Sequence, residues 1–308
     1  MKRRDLIQFS IAVAAGTVAP MVRASDAAGA MESAAAPVPD GHLTSPLAAP
    51  AGADAARWAR GAALVNGLGH CGACHTPRNA LGAERSATTY LAGALVDGWE
   101  APPLGALARG PVPWTEAAMR QYLTLGHHAE HGIAGGPMAE VVLALSAAAP
   151  DDVDAMAHYL VALQGPVAAV DAQAVVARAA RQPALLPGAA QRMFDTACAA
   201  CHHDGGPAAG LPPLGLNQPL ALNSTLHSAR PDNLLRTIVE GIQRPAFPAI
   251  GHMPAFGEAL SDRQIVELAQ WLRQRFAPDQ PAWDGLAEAL DGVRRSTAAA
   301  DPGRAAGR

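Results

Sequence analysis

The chain has four cysteines, and they fall into two CxxCH frames: Cys71-Gly72-Ala73-Cys74-His75 and Cys198-Ala199-Ala200-Cys201-His202. Paired thiols can hold zinc, close a disulfide, exchange electrons, or be consumed in bonds to a cofactor. Four-thiolate zinc sites set their two pairs a few to about twenty residues apart, whereas Cys74 and Cys198 are 124 apart. A thioredoxin-type pair opens a helix after a strand, but these pairs follow helical patterns. Disulfides suit an exported protein, yet they leave the histidine after each pair without a role. Covalent haem accounts for every residue of the frame. The thiols become thioethers on the two porphyrin vinyl groups, and the next residue is placed to ligate iron. The reading is two haem c groups, one on Cys71 and Cys74 and one on Cys198 and Cys201, with His75 and His202 as iron ligands.

A methionine thioether on the other face would complete such a site and raise its potential. Of eight methionines, Met1, Met21 and Met31 precede the patterned region. Met119 and Met156 fit apolar helix stripes, the ordinary place for core methionine, and Met193 stands just before a CxxCH. Met138 in "GGPMAE" and Met253 in "GHMPAFG" remain, each flanked by glycine in a loop. In "GHHAEHG", His127, His128 and His131 read as exposed loop histidines and offer a bis-histidine alternative for the first iron. His252 is a weaker rival for the second, and His203 reads as surface. A ligating imidazole normally donates its other N–H to a fixed acceptor, for which the carbonyls of Pro102 and Pro212 are candidates. Arg78 could pair with a haem propionate.

The elements that must position these residues occur twice. Each half opens with a helical pattern ("DAARWARGAALVNG", "GAAQRMFDTA") that runs into CxxCH, then has Pro-Pro-Leu at Pro102 and Pro212. A helix ended by glycine follows ("TEAAMRQYLTLG", "PDNLLRTIVEG"), then the methionine segment, then an amphipathic helix with an aromatic-Leu pair. In the closing helices Val153, Met156, Ala157 and Leu160 repeat the stripe of Ile265, Leu268, Ala269 and Leu272. Asp151 is read as a cap for the first, and Ser261 with Gln264 as a capping box for the second. The halves are offset by 127 residues at the cysteines and 115 at the methionines, which fits a duplicated all-helical domain.

Composition sets the surroundings. "MKRRDLIQFSIAVAAGTVAPMVRASDA" has a basic start, a short apolar run and a small-residue cleavage pattern, an export signal over residues 1–24. Net charge is −4 and falls to about −7 without that segment, with no lysine left. This excludes nucleic acid, which needs clustered positive charge. Aromatic residues make up only 4%, so a flat cofactor could fill part of each core. The expected layout is a flexible leader (25–53), domain 1 (54–165), a linker (166–187) with a short helix in "DAQAVVARAA", domain 2 (188–277) and a disordered tail (278–308).

"ARGAALVNGLGHCGACHTPRN", "YLAGALVDGWEAPPL", "GHHAEHGIAGGPMAEVV" and "MPAFGEALSDRQIVELAQWLR" resemble the cytochrome c subunits of bacterial membrane-bound alcohol, gluconate, fructose and nicotinate dehydrogenases, over about residues 54–276. The resemblance implies two tandem class I cytochrome c domains. Carried over by position, Cys71, Cys74 and His75 with Met138 hold one haem, and Cys198, Cys201 and His202 with Met253 hold the other. It further implies a periplasmic location and a flavin, quinoprotein or molybdenum dehydrogenase as electron donor. Quinone, a cytochrome or a terminal oxidase would accept, with membrane association peripheral or through a partner. The family usually carries three haem domains, against two CxxCH frames here. The alternative is a dihaem enzyme, a peroxidase or small-reductant oxidase, which needs an open or displaceable iron position.

Overall fold

The computed structural model describes residues 49, 52, 54–85, 89–105, 110–181, 188–202 and 219–300. The export signal, nearly all of the leader, His203, Pro212 and the last eight residues lie outside this set. The first half runs through α1 (Ala55–Asn66), a one-turn α2 (Gly72–His75), strands β1 (Ala94–Val96) and β2 (Trp99–Ala101), and α3 (Glu116–Leu125). Strands β3 (His127–His128) and β4 (Gly132–Ile133), α4 (Pro137–Leu145) and α5 (Pro150–Ala162) complete it. After α6 (Ala172–Ala180) the second half has α7 (Ala189–Met193) leading into a π turn at Phe194–Cys198, then α8 (Ser224–His227), α9 (Asp232–Glu240), α10 (Asp262–Phe276) and α11 (Leu286–Ala300).

The described residues are mostly helical, as expected, with two small antiparallel hairpins among them. Asp97 and Gly98, both at positive φ (50° and 77°), turn β1 into β2. That is the backbone a right-twisted two-residue hairpin requires.

In the first half, α1 starts where the Asp54 carboxylate accepts the Ala56 and Arg57 N–H groups at 3.0 and 3.1 Å. It crosses α5 closely, with the Trp58 and Tyr159 rings 4.6 Å apart. Gly61 permits the crossing, because a Cβ there would stand 2.1 Å from the Ala155 carbonyl oxygen. The second half repeats the device, with Phe194 against Trp271 at 5.0 Å. Four of the scarce aromatics are thus spent on helix crossings. Both predicted stripes are buried, as are Met119 and Met156, and Met193 is half-buried against the second core. The Ser261–Gln264 capping box forms. Asp151 is not a cap, since Pro150 opens α5 and puts Asp151 inside the first turn.

The tail needs a larger correction. Leu286–Ala300 is helical, and Trp283, Leu286, Leu290 and Val293 enter the second core. Their spacing is an apolar helix stripe hidden in an Ala/Gly-rich stretch. Buried Arg273 anchors the approach to α11. It donates to Pro281 O and Ser228 O, both at 3.0 Å, and lies 4.3 Å above the Trp283 ring.

The halves meet along a polar and apolar seam. Glu100 N–H donates to Asn233 Oδ1, and Asn233 Nδ2 donates to Glu100 O, both at 2.8 Å. Ser228 donates to the Glu100 carboxylate, and Arg236 donates to Gly98 O at 3.1 Å. Beside them, Ala134, Ala139 and Val142 of the first half form one buried cluster with Ala246 and Ile250 of the second.

Two substitutions test this packing. Gly61→Ala should cost about 1–3 kcal/mol by overpacking the α1–α5 crossing, read from the denaturant midpoint. Leu290→Ala should cost about 2–5 kcal/mol by opening a cavity under α11, and a loss below about 0.5 kcal/mol would restore the disordered tail.

Candidate functional site

The two CxxCH segments adopt the same turn. His75 N–H donates to Cys71 O at 2.9 Å, and His202 N–H to Cys198 O at 2.8 Å. Cys74 N–H reaches Cys71 O at 3.3 Å, as Cys201 N–H reaches Cys198 O at 3.0 Å. In each case the turn hangs from the end of the helix that crosses its half's core. In the second half that helix ends in the π turn, a local widening often found at functional sites.

Around the first turn the chain is tightly sewn. Thr76, fully buried, accepts Leu91 N–H on its hydroxyl at 3.1 Å. Gly93 N–H donates to His75 O at 2.7 Å, and Leu104 N–H to Leu91 O at 2.9 Å. These bonds bring Pro102 back over His75, where the ring Nδ1 donates to Pro102 O at 2.7 Å, the contact expected from the sequence. A carbonyl can only accept, so Nδ1 carries the proton and the lone pair lies on Nε2. Burial pulls the His75 pKa below its ordinary value, opposed by the Pro102 carbonyl. The neutral imidazole that an iron ligand must be is therefore favoured.

Met138 is brought to the same region. It packs against the cluster that contains Leu91, Leu104, Met119 and Leu123, as do Cys71, Tyr90 and Trp114. It sits not in a loop but in the first turn of α4, whose start is set by Pro137. In the second half, Cys198 packs against the core formed by Phe194, Leu268 and Leu272. Met253 is half-buried, and its backbone pairs with Ile242 through bonds of 2.9 and 3.2 Å. The proposed partner of His202, Pro212, lies outside the described residues.

The donor set suits haem c. All four cysteines are free thiols, and a neutral, carbonyl-oriented histidine follows the first pair. Burial pushes the Cys71 thiol up to about 11, and it raises Cys198 too. Thiol exchange and zinc binding both need a thiolate, so this environment opposes them.

The comparisons with known proteins bear on the same residues. Residues 187–272 match the family described as cytochrome c oxidase, cbb3-type, subunit III. The chain is 48% identical over 244 residues to a nicotinate dehydrogenase subunit of Pseudomonas putida, covering 78% of this chain and 20% of that protein. It is 35% identical over 240 residues to the gluconate 2-dehydrogenase cytochrome c subunit of Pantoea cypripedii, covering 70% and 51%. It is 33% identical over 249 residues to the fructose dehydrogenase cytochrome subunit of Gluconobacter japonicus, covering 72% and 49%. The chain is a relative of dehydrogenase cytochrome c subunits. It spans about half the length of the gluconate and fructose subunits and a fifth of the nicotinate protein. The cytochrome names of these relatives and the cytochrome-type family match support haem c with its iron as the cofactor.

Other sequence readings fare differently. Arg78 is engaged locally, donating to Gly82 O and Ala73 O, both at 2.6 Å. His127, His128 and His131 are not exposed loop residues. They belong to the β3–β4 hairpin, where His127 and His128 are half-buried and His131 is 2% exposed. The His131 ring lies flat on Trp114 at 3.6 Å and 11°. Sequence reasoning missed that stack, and only the turn glycines Gly126 and Gly132 hinted at a hairpin. His252 is exposed. Among the described residues no helix is long and apolar enough to cross a membrane.

Burial lowers the His131 pKa from 6.5 to about 3, with a smaller push from His128. The unfolded chain therefore binds the extra proton between these values. The stabilising contribution is complete above about pH 6.5 and is lost as pH falls toward 3. Denaturant titrations at stepped pH should give a shallower acid slope for His131→Gln than for the unaltered protein. Parallel slopes would show that His131 takes up its proton with the fold intact.

Proposed function

We propose that the chain is a periplasmic dihaem c-type cytochrome that passes electrons from a partner dehydrogenase toward the respiratory chain. The observation that carries this reading is the repeated CxxCH turn, present once on each of two helical cores. Its two domains are 54–165 and a second unit from residue 188 through α11. Cys71, Cys74, Cys198 and Cys201 would form the thioether links, with His75 and Met138 as one axial pair and His202 and Met253 as the other.

When bound, haem c supplies reversible one-electron chemistry at its iron. The chain's part is to hold and orient. Pro102 O fixes the tautomer and ring direction of His75, while α4 holds Met138 against the cluster that also receives Cys71. The packed seam keeps the two halves at a set spacing, which short-range electron transfer needs. No residue has to serve as acid or base. A methionine assigned to each site supports the carrier over a peroxidase or oxidase, which requires a displaceable position.

The relatives' names support a dehydrogenase as the electron donor. That donor would be of flavin, quinoprotein or molybdenum type. The acceptor would be quinone, a cytochrome or a terminal oxidase. The N-terminal basic-apolar pattern supports export.

Intact mass and absorption spectra of the protein matured in a haem-attaching periplasm test the reading. Two haems per chain are expected, with the thioether-to-iron charge-transfer band in the oxidised state. Cys198→Ser with Cys201→Ser should remove one haem's mass, and Met138→Ala should remove part of the band. A colourless chain would overturn the reading, and a high-spin site in the unaltered protein would favour the enzyme.

A further inference from the structure

The β3–β4 hairpin carries a second group of ligating side chains that the haem reading does not use. One ring nitrogen each from His128 and His131 and a carboxylate oxygen of Glu130 lie within 4.8 Å of one another. None belongs to a CxxCH frame or to a methionine segment. We infer that His128, Glu130 and His131 form a binding site for a divalent metal of the zinc class.

The strongest support is His131 itself. The residue is 2% exposed, and its Nε2 is buried with no hydrogen-bond partner among the described residues. A buried polar atom left so is costly, and a bound ion is one way to satisfy it. The residue is also held still. Its ring lies flat against Trp114, and its carbonyl accepts both Ser224 Oγ at 2.7 Å and Ser224 N–H at 3.2 Å. Glu130 N–H donates to His128 Nδ1 at 3.2 Å, so this ring keeps its proton on Nε2, and its Nδ1 lone pair reaches an ion only as that bond is exchanged for the metal. His127 is left out for a geometric reason: neighbouring residues of a strand point to opposite faces.

The donor chemistry favours zinc. Two imidazoles and one carboxylate make a three-ligand set that leaves one position for water. Calcium and magnesium prefer all-oxygen shells. Bonds of about 2.1 Å put tetrahedral donors about 3.4 Å apart. The donors therefore need close by at most about 1.4 Å, a movement open to His128 and Glu130, which are half-buried on the hairpin. Ser224 belongs to the second half, so an ion here would stiffen the hairpin where the halves meet.

Equilibrium dialysis of the full, haem-loaded chain against Zn²⁺ tests this, with bound zinc counted by elemental analysis after chelator stripping. One zinc per chain is expected beyond the haem iron, with a rise in Tm. Glu130→Gln should weaken binding at least about tenfold, and His128→Ala with Glu130→Gln about a hundredfold or more, by comparison with losses known from supporting residues alone. Both changes sit at half-buried positions of the hairpin, and an unchanged haem spectrum would confirm that the fold survives. Absence of zinc uptake at millimolar concentration, or uptake undiminished in the double variant, would overturn the site. Neither outcome touches the haem reading, which is judged by colour and mass.

Discussion

Each half of the molecule depends on two helices crossing at contact distance. In the first, Gly61 lets α1 lie against Ala155 and Tyr159 of α5, and Trp58 packs on Tyr159 beside it. The crossing fixes where α1 ends, and the CxxCH turn is suspended from that end. From there the Thr76, Leu91 and Leu104 bonds bring Pro102 to His75. A shift in the helix pair would displace the imidazole, its carbonyl support and the two thiols together. The ligand geometry is thus inherited from packing several residues away.

The seam between the halves adds a second level of constraint. Arg236 is only 4% exposed, yet it donates to Gly98 O and Glu240 Oε1 and lies 5.4 Å over Trp99. Burying a charge so deeply is tolerable only when its hydrogen bonds are met, which makes this contact demanding of geometry. The apolar patch of Ala134, Ala139, Val142, Ala246 and Ile250 lies beside it, with Met138 and Phe247 packed at its margin. The segment carrying one proposed iron ligand therefore touches the segment that leads to the other.

Much of this was legible in the sequence because it is local. CxxCH, the Ser261 capping box and the helix stripes are patterns of spacing, and the Pro102 support for His75 follows from the need of a ligating ring for an acceptor. What was missed depends on contacts between distant residues or on signals diluted by composition. The His131–Trp114 stack joins residues 17 apart across a helix, so no periodicity announces it. In α11, alanine and glycine hid the stripe of Leu286, Leu290 and Val293. Asp97-Gly98 is a strong hairpin signal, but it stood between runs of only three residues in a chain whose other patterned segments read as helices.

The paired bonds between Glu100 and Asn233 have one more consequence. A two-stranded ribbon leaves the outer N–H and C=O groups of each strand open, and such a border can recruit strands from other chains. The carboxamide of Asn233 occupies both groups of Glu100, imitating the peptide of a third strand. A helix of the second half thereby closes the border of a ribbon in the first, and the association of the two halves also guards against self-assembly.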